Sequence, residues 1–192
     1  MNGSAGNANA KPANHFILRS QNSTGMFSIT ELYQYSSGVR KKFLEKLETL
    51  PWDEVTQNRE ASYYSMRNIM IHMIDNEDWI VNWVIKNRAG EYKRERKSEE
   101  YLDMNMIRKH LEDIERETTA YLGGADEGEM QRRVNFTLSS GATFDLSVEE
   151  SLLQSFTEQI YHLGELIALL WQKDIEPPRM QWFWNNPRAG AK

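Results

Sequence analysis

The sequence predicts an all-α protein: a four-helix bundle with a long crossover between its third and fourth helices, and a small β-hairpin in that crossover. Three observations carry this reading. Four stretches of about 20 residues repeat apolar side chains at three- and four-residue spacing, the signature of amphipathic helices. Two Ser-x-x-Glu boxes, Ser28 to Glu31 and Ser147 to Glu150, mark helix starts. The chain of 192 residues holds only 11 Gly and 5 Pro, too few breakers for a strand-and-turn architecture.

The first helix opens at Ser28, carries Leu32, Tyr35, Val39, Phe43 and Leu47, and is closed by Pro51. The second runs from about Ser65 to Ala89, with Met66, Ile69, Met70, Met73, Ile74, Ile80 and Val84 on one broad face and Gly90 as its stop. The third spans about Asp103 to Leu122 and ends at Gly123-Gly124. Residues 133–138 alternate with period two, Ser139-Ser140-Gly141 supplies a turn, and Thr143 to Leu146 returns, which makes the hairpin. The fourth helix runs from Val148 to about Lys173, before Pro177-Pro178. Trp182-Phe183-Trp184 is expected to fold back on the bundle or pack on a second subunit, because three exposed aromatic rings would form a large apolar patch. Residues 1–25, rich in Asn, Ala, Ser and Gly and without apolar periodicity, read as a disordered extension, which leaves 26–192 as the helical domain.

Composition narrows the function. The chain has no Cys, so a disulfide framework, thiolate metal sites and a protein-borne sulfur nucleophile are excluded. Any metal must be held by nitrogen and oxygen. The net charge is −5, and because residues 1–25 contain Lys11 and Arg19 but no acid, the body is more acidic still, which argues against nucleic acid as a partner. The basic run Lys93 to Lys97 contains Glu95 and is followed by Glu99-Glu100, so it reads as a solvated loop. The longest apolar run, Leu166 to Trp171, is far short of the roughly 20 residues a membrane span needs, and no secretory apolar stretch opens the chain; a cytoplasmic protein is expected.

Of the four histidines, His15 lies in the extension and His110 sits among charged residues, so both read as solvated. His72 and His162 lie at the border of apolar stripes. Glu158 precedes His162 by four residues, so both side chains leave one helical face close enough to share an ion. If the second and fourth helices are neighbours, His72 completes a set of two imidazoles and one carboxylate with positions left for water or substrate. The plain alternatives are a Glu158–His162 hydrogen bond and a satisfied core histidine at 72. Two further acids are candidate catalytic groups: Glu77, in the middle of the second helix's apolar stripe, and Glu165, three residues after His162. Either pairs with a basic side chain or solvent, or orients an imidazole and moves protons.

The segment Arg67-Asn68-Ile69-Met70-Ile71-His72 through Glu77 and Trp79 resembles the second helix of the DinB/YfiT-like metalloenzymes. His162-Leu163-Gly164-Glu165-Leu166 is similar to that family's fourth-helix motif, and Ile175-Glu176-Pro177-Pro178 followed by Trp182-Phe183-Trp184 to its ending. The resemblance implies a four-helix bundle that commonly pairs as a homodimer. It also implies a divalent metal held by one helix-two histidine and two helix-four histidines, which fall here on His72, position 158 and His162. This chain departs from the pattern with Glu158, a carboxylate that is itself a competent ligand for zinc, nickel, manganese or iron. Characterised relatives use a low-molecular-weight thiol, so the resemblance implies thiol-dependent transferase or detoxification chemistry on a small-molecule electrophile. Metal-dependent hydrolysis and iron oxygenase chemistry stand beside it. A non-catalytic stress-response or interaction bundle with an emptied site is the competing class.

Overall fold

The structure, a computed structural model, describes residues 27–87, 92–186 and 188. The expected extension at 1–25, His15 and the Gly90 stop lie outside these residues. Four long helices form the bundle: α1 (Ile29–Glu48), α3 (Met66–Asp78), α4 (Met104–Gly124) and α6 (Val148–Trp171). Three short helices accompany them: α2 (Trp52–Thr56), α5 (Glu127–Gln131) and α7 (Trp182–Asn185). α1 and α3 each pack against both α4 and α6, so α3 and α6 are neighbours. No described helix is long and apolar enough to cross a membrane.

Both capping boxes form. Ser28 Oγ accepts from the Glu31 amide while Glu31 accepts from the Ser28 amide at 3.0 Å. Ser147 and Glu150 repeat the exchange at the start of α6, at 2.6 and 3.1 Å. Ser147→Ala is expected to cost about 1 kcal/mol, read as a lower urea midpoint with an unchanged slope.

The second long helix does not stay α-helical to the end. After Asp78 it becomes a π-helical segment, Trp79–Ile85, whose wider hydrogen-bonded turns are rare and gather at functional sites. Apolar periodicity does not separate i→i+4 from i→i+5 bonding over one or two turns, so the sequence reads as a single helix there. In the crossover, β1 (Arg133–Thr137) pairs antiparallel with β2 (Thr143–Ser147), from Arg133 opposite Ser147 to Thr137 opposite Thr143. Gly141 turns the hairpin at φ 86°, a conformation open to glycine. Phe136 of β1 stacks on Phe144 and meets Trp79 in a perpendicular ring contact at 5.4 Å, which ties the hairpin to the π-helical segment.

The core consists of two apolar clusters. One gathers Val39, Phe43, Leu47, Ile69, Met73, Leu111 and Leu166. The other gathers Tyr33, Ile80, Val81, Leu122, Val134, Leu152 and Phe156. On α3, α4 and α6 the changeover spans a polar residue, Glu77, Glu115 and Gln159, and Arg40 of α1 reaches the two glutamates from within the first cluster's stretch of that helix. These four side chains form one buried layer. Arg40, fully buried, pairs with Glu77 at 2.7 Å and Glu115 at 3.2 Å, and Gln159 donates to Glu77 at 3.0 Å. Burial opposes the Arg40 charge, but the two carboxylates outweigh it and hold its pKa above the ordinary arginine value.

The aromatic end folds back in part. Trp182 packs on Tyr35 and Phe27, at 5.2 and 4.8 Å between ring centroids. Phe183 and Trp184 stay outside, 77% and 62% exposed.

Candidate metal centre

His72 lies in the middle of α3 and His162 in the middle of α6, and the contact between these helices brings their rings to 4.7 Å at 81°. Glu158, one turn before His162, places Oε1 3.2 Å from His162 Nε2 and 3.8 Å from His72 Nε2. The ligand atoms of His72, Glu158 and His162 all lie within 4.8 Å of one another, the one such group of three among the described residues. A tetrahedral zinc with bonds of about 2.0–2.2 Å spaces its ligands by roughly 3.3–3.6 Å, so the trio needs only a small closure to hold an ion.

The protons point the same way. His162 Nδ1–H donates to Glu165 Oε2 at 2.5 Å, which directs its Nε2 at Glu158 Oε1. A neutral Nε2 and a carboxylate oxygen would meet lone pair to lone pair, so the contact calls for a cation between them, either a proton or a metal. His72 Nε2 is buried and has no hydrogen-bond partner. A buried acceptor left unmade is costly, and here it faces the other two ligands. The residues present therefore fit a divalent ion.

Burial, reinforced by neighbouring His162, pushes the His72 imidazole down to about 4. It stays neutral, and able to ligate, well below pH 7. Burial pushes Asp75, one turn further along α3, up to about 7. The two groups act oppositely on stability. The unfolded chain protonates His72 near 6.5 and the folded protein only near 4, so this contribution falls as pH drops through that window. Folded Asp75 takes up its proton before the unfolded chain does, so its contribution is lost as pH rises from about 4 to about 7. In chelator-treated protein, His72→Gln is expected to flatten the acid loss of stability between pH 6.5 and 4, and Asp75→Asn to steepen it; urea unfolding across that range reads both.

Other side chains complete the site. Tyr63 stacks on His72 at 3.9 Å and 17°, and meets His162 edge-on at 5.3 Å. Ser62 Oγ donates to Glu165 Oε2 at 2.8 Å, so the acceptor that orients His162 is itself held. Both residues come from the loop between α2 and α3. There Glu60 and Tyr64 take positive φ values of 56° and 69°, a strained conformation for residues with side chains. No periodic motif marks this loop in the sequence. The two non-glycine residues at positive φ on either side of Ser62 and Tyr63 become visible only in the backbone.

Glu165 thus sits against His162. Glu77 does not join this cluster; it lies in the buried layer, paired with Arg40 from another helix, the plainer of its two expected roles. His110 departs from expectation: it is buried, hydrogen-bonded through Nδ1 to the Tyr101 hydroxyl at 2.5 Å, with Glu95 3.9 Å from Nε2. Its charged sequence neighbours face solvent while the loop preceding α4 folds over its own face of that helix. The basic run is largely exposed, as expected of a solvated loop, and within it Arg94, its side chain 53% exposed, reaches Asp75 Oδ2 with its Nε at 3.3 Å.

Beside His72 opens a cavity of about 890 Å³, bounded by the π-helical segment, the loop around Tyr92 and Arg94, and the hairpin tip at Leu138. That volume suits a small-molecule ligand.

Bundle and site together define a class: helical proteins with a two-histidine, one-carboxylate group that could hold a divalent ion at the α3–α6 contact. The sequence profile of the DinB family matches residues 21–189, and the chain belongs to that family. The fold is similar to the crystal structure of a DinB-like protein from Bacillus cereus ATCC 10987, with a TM-score of 0.60, 14% identity, and coverage of 79% of this chain and 94% of that one. No curated protein matches the chain.

Proposed function

We propose that the protein is a divalent-metal-dependent enzyme that joins a low-molecular-weight thiol to a small-molecule electrophile at the His72, Glu158, His162 centre. The observation that carries the metal is the buried, unpartnered His72 Nε2 facing Glu158 and His162. When bound, a divalent ion makes a coordinated thiol acidic enough to ionise near neutral pH. The chain has no Cys, so the sulfur comes from outside. Glu165 keeps the proton of His162 on Nδ1 and leaves Nε2 for the ion, and Ser62 fixes Glu165. Tyr63 covers one face of His72 and shields it from water. The adjoining cavity receives the electrophile.

Glu165→Gln is expected to weaken zinc binding by about 10–100-fold, because an amide is a poorer acceptor for the Nδ1 proton. Competition against a fluorescent zinc indicator measures it. The function is tested by following transfer of a panel of small thiols to 1-chloro-2,4-dinitrobenzene. Turnover should need both thiol and metal, disappear on chelation and be absent in His162→Ala; transfer indifferent to chelator would contradict the proposal. The two-histidine, one-carboxylate set also favours a second reading, a mononuclear iron oxygenase, and ferrous-dependent oxygen uptake decides for it. A protein that takes up no metal is the non-catalytic bundle. Exposed Phe183 and Trp184 fit a homodimer, which sedimentation tests.

A further inference from the structure

The cavity beside His72 has a polar rim, where half-exposed Arg94 lies on buried Asp75, and aromatic walls. Arg94 is brought in by a loop that is anchored on both sides. Tyr92 Oη donates to Asp78 Oδ2 at 2.7 Å and lies at 3.3 Å from the Asp75 carbonyl. Asp78 in turn accepts from Asn82 Nδ2 at 2.8 Å. At the other end of the loop, Tyr101 is buried and hydrogen-bonded to His110. Between these anchors Arg94 turns its Nε to Asp75, whose side chain is only 3% exposed and whose two carboxyl oxygens have no hydrogen-bond partner. The guanidinium is thus held by one edge, and its two terminal nitrogens make no hydrogen bond among the described residues. Such an end-on pair matches the two oxygens of a carboxylate.

The walls are aromatic. Trp79 and Trp83, four residues apart on the π-helical segment, both line the cavity with Tyr63 and Tyr92, and Trp83 meets Tyr92 edge-on at 5.9 Å. Leu138 at the hairpin tip adds an apolar surface. Rings arranged in this way take a flat ring by offset or edge contacts. Charge selects the other end of the ligand: Arg94 is the basic side chain lining the cavity, and Asp75, its partner, is buried and weakened as an anion.

From this geometry we infer that the substrate is an aromatic carboxylic acid carrying a displaceable halide, with its ring between Trp79, Trp83 and Tyr92 and its carboxylate on the terminal nitrogens of Arg94; the thiol sulfur bonds to the halide-bearing carbon, the carbon–halogen bond breaks, and halide and the thiol proton leave to solvent. This names the substrate class of the metal-centred reading above and rests on it for the chemistry, though not for the binding. The acid is held by Arg94 at the cavity edge, and a volume of about 890 Å³ leaves room beside it, on the His72 side, for a small thiol.

The test is calorimetric titration of the full chain with benzoate, benzamide, benzylamine and acetate, first in chelator-treated protein and then with zinc added. Benzoate is expected to bind saturably without zinc, at least tenfold more tightly than benzamide or acetate. Arg94→Gln should lower benzoate affinity at least tenfold and leave benzamide unchanged, Arg94→Lys should recover part of the loss, and Asp75→Asn should retain benzoate. Thermal unfolding confirms that each variant is folded. Benzylamine binding better than benzoate, acetate matching benzoate, or Arg94→Gln leaving benzoate affinity unchanged would each overturn the inference. So would benzoate binding that appears only with zinc, since the ion would then be the carboxylate's partner. Arg94-dependent benzoate binding in a protein that takes up no zinc would sustain the pocket and remove the metal-centred chemistry, so the two readings fail separately.

Discussion

Arg40→Met is expected to destabilise the bundle by about 3–5 kcal/mol, the largest effect of any single change outside the metal centre. The loss comes from what is left behind. Without the guanidinium, fully buried Glu77 keeps only the Gln159 amide, and Glu115 keeps only Lys41, whose ammonium lies 2.7 Å away and is half exposed. An unpaired carboxylate in a low-dielectric layer between two apolar clusters must either stay charged at high cost or take up a proton. Replacing the pair together, as Arg40→Met with Glu77→Leu, should recover much of the loss, because the desolvation cost of both ions goes with them. Urea unfolding of the two variants separates these cases. A single variant within 1 kcal/mol of the parent would show that the layer is not held by this charge pair.

Zinc is expected to stabilise the protein, and His72→Ala and His162→Ala are each expected to weaken its binding by two or more orders of magnitude. A ligand that binds only the folded state adds about 2.7 kcal/mol at one hundred times its dissociation constant, so the parent should unfold at visibly higher temperature with zinc and the variants should not. Glu158→His separates a metal ligand from a structural partner. If Glu158 is a ligand, a third imidazole should raise zinc affinity; if it serves only as a hydrogen-bond acceptor for His162, stability falls and no metal is taken up.

How much of this was legible in the sequence depends on which interactions are local. The two Ser-x-x-Glu boxes set the starts of α1 and α6 to the residue, since a capping box is a contact between neighbours in sequence. The Glu158–His162 spacing is likewise local, and His72 stands out by its place at the border of its own helix's apolar stripe. Long-range features left no such trace. Arg40, Glu77, Glu115 and Gln159 lie on four different helices, and no pattern within one helix announces that they meet. His110 looks solvated from its charged neighbours on α4, yet a loop covers its face of that helix and buries it against Tyr101. Ser62 and Tyr63 sit in an irregular loop whose strained backbone alone aims them at the histidines. Arg94 belongs to a run that faces solvent as its mixed charges suggest, and only the fold sets Asp75 beneath it.

Everything proposed for the chemistry depends on His72, Glu158 and His162 holding one divalent ion. The most direct measurement is an anomalous-difference map from crystals of the protein grown with zinc, collected on either side of the zinc absorption edge. One strong peak is expected between the two Nε2 atoms and the Glu158 carboxylate, at about 2.0–2.2 Å from each. A map with no peak there, and with Glu158 still hydrogen-bonded to His162 at saturating zinc, would contradict the metal centre.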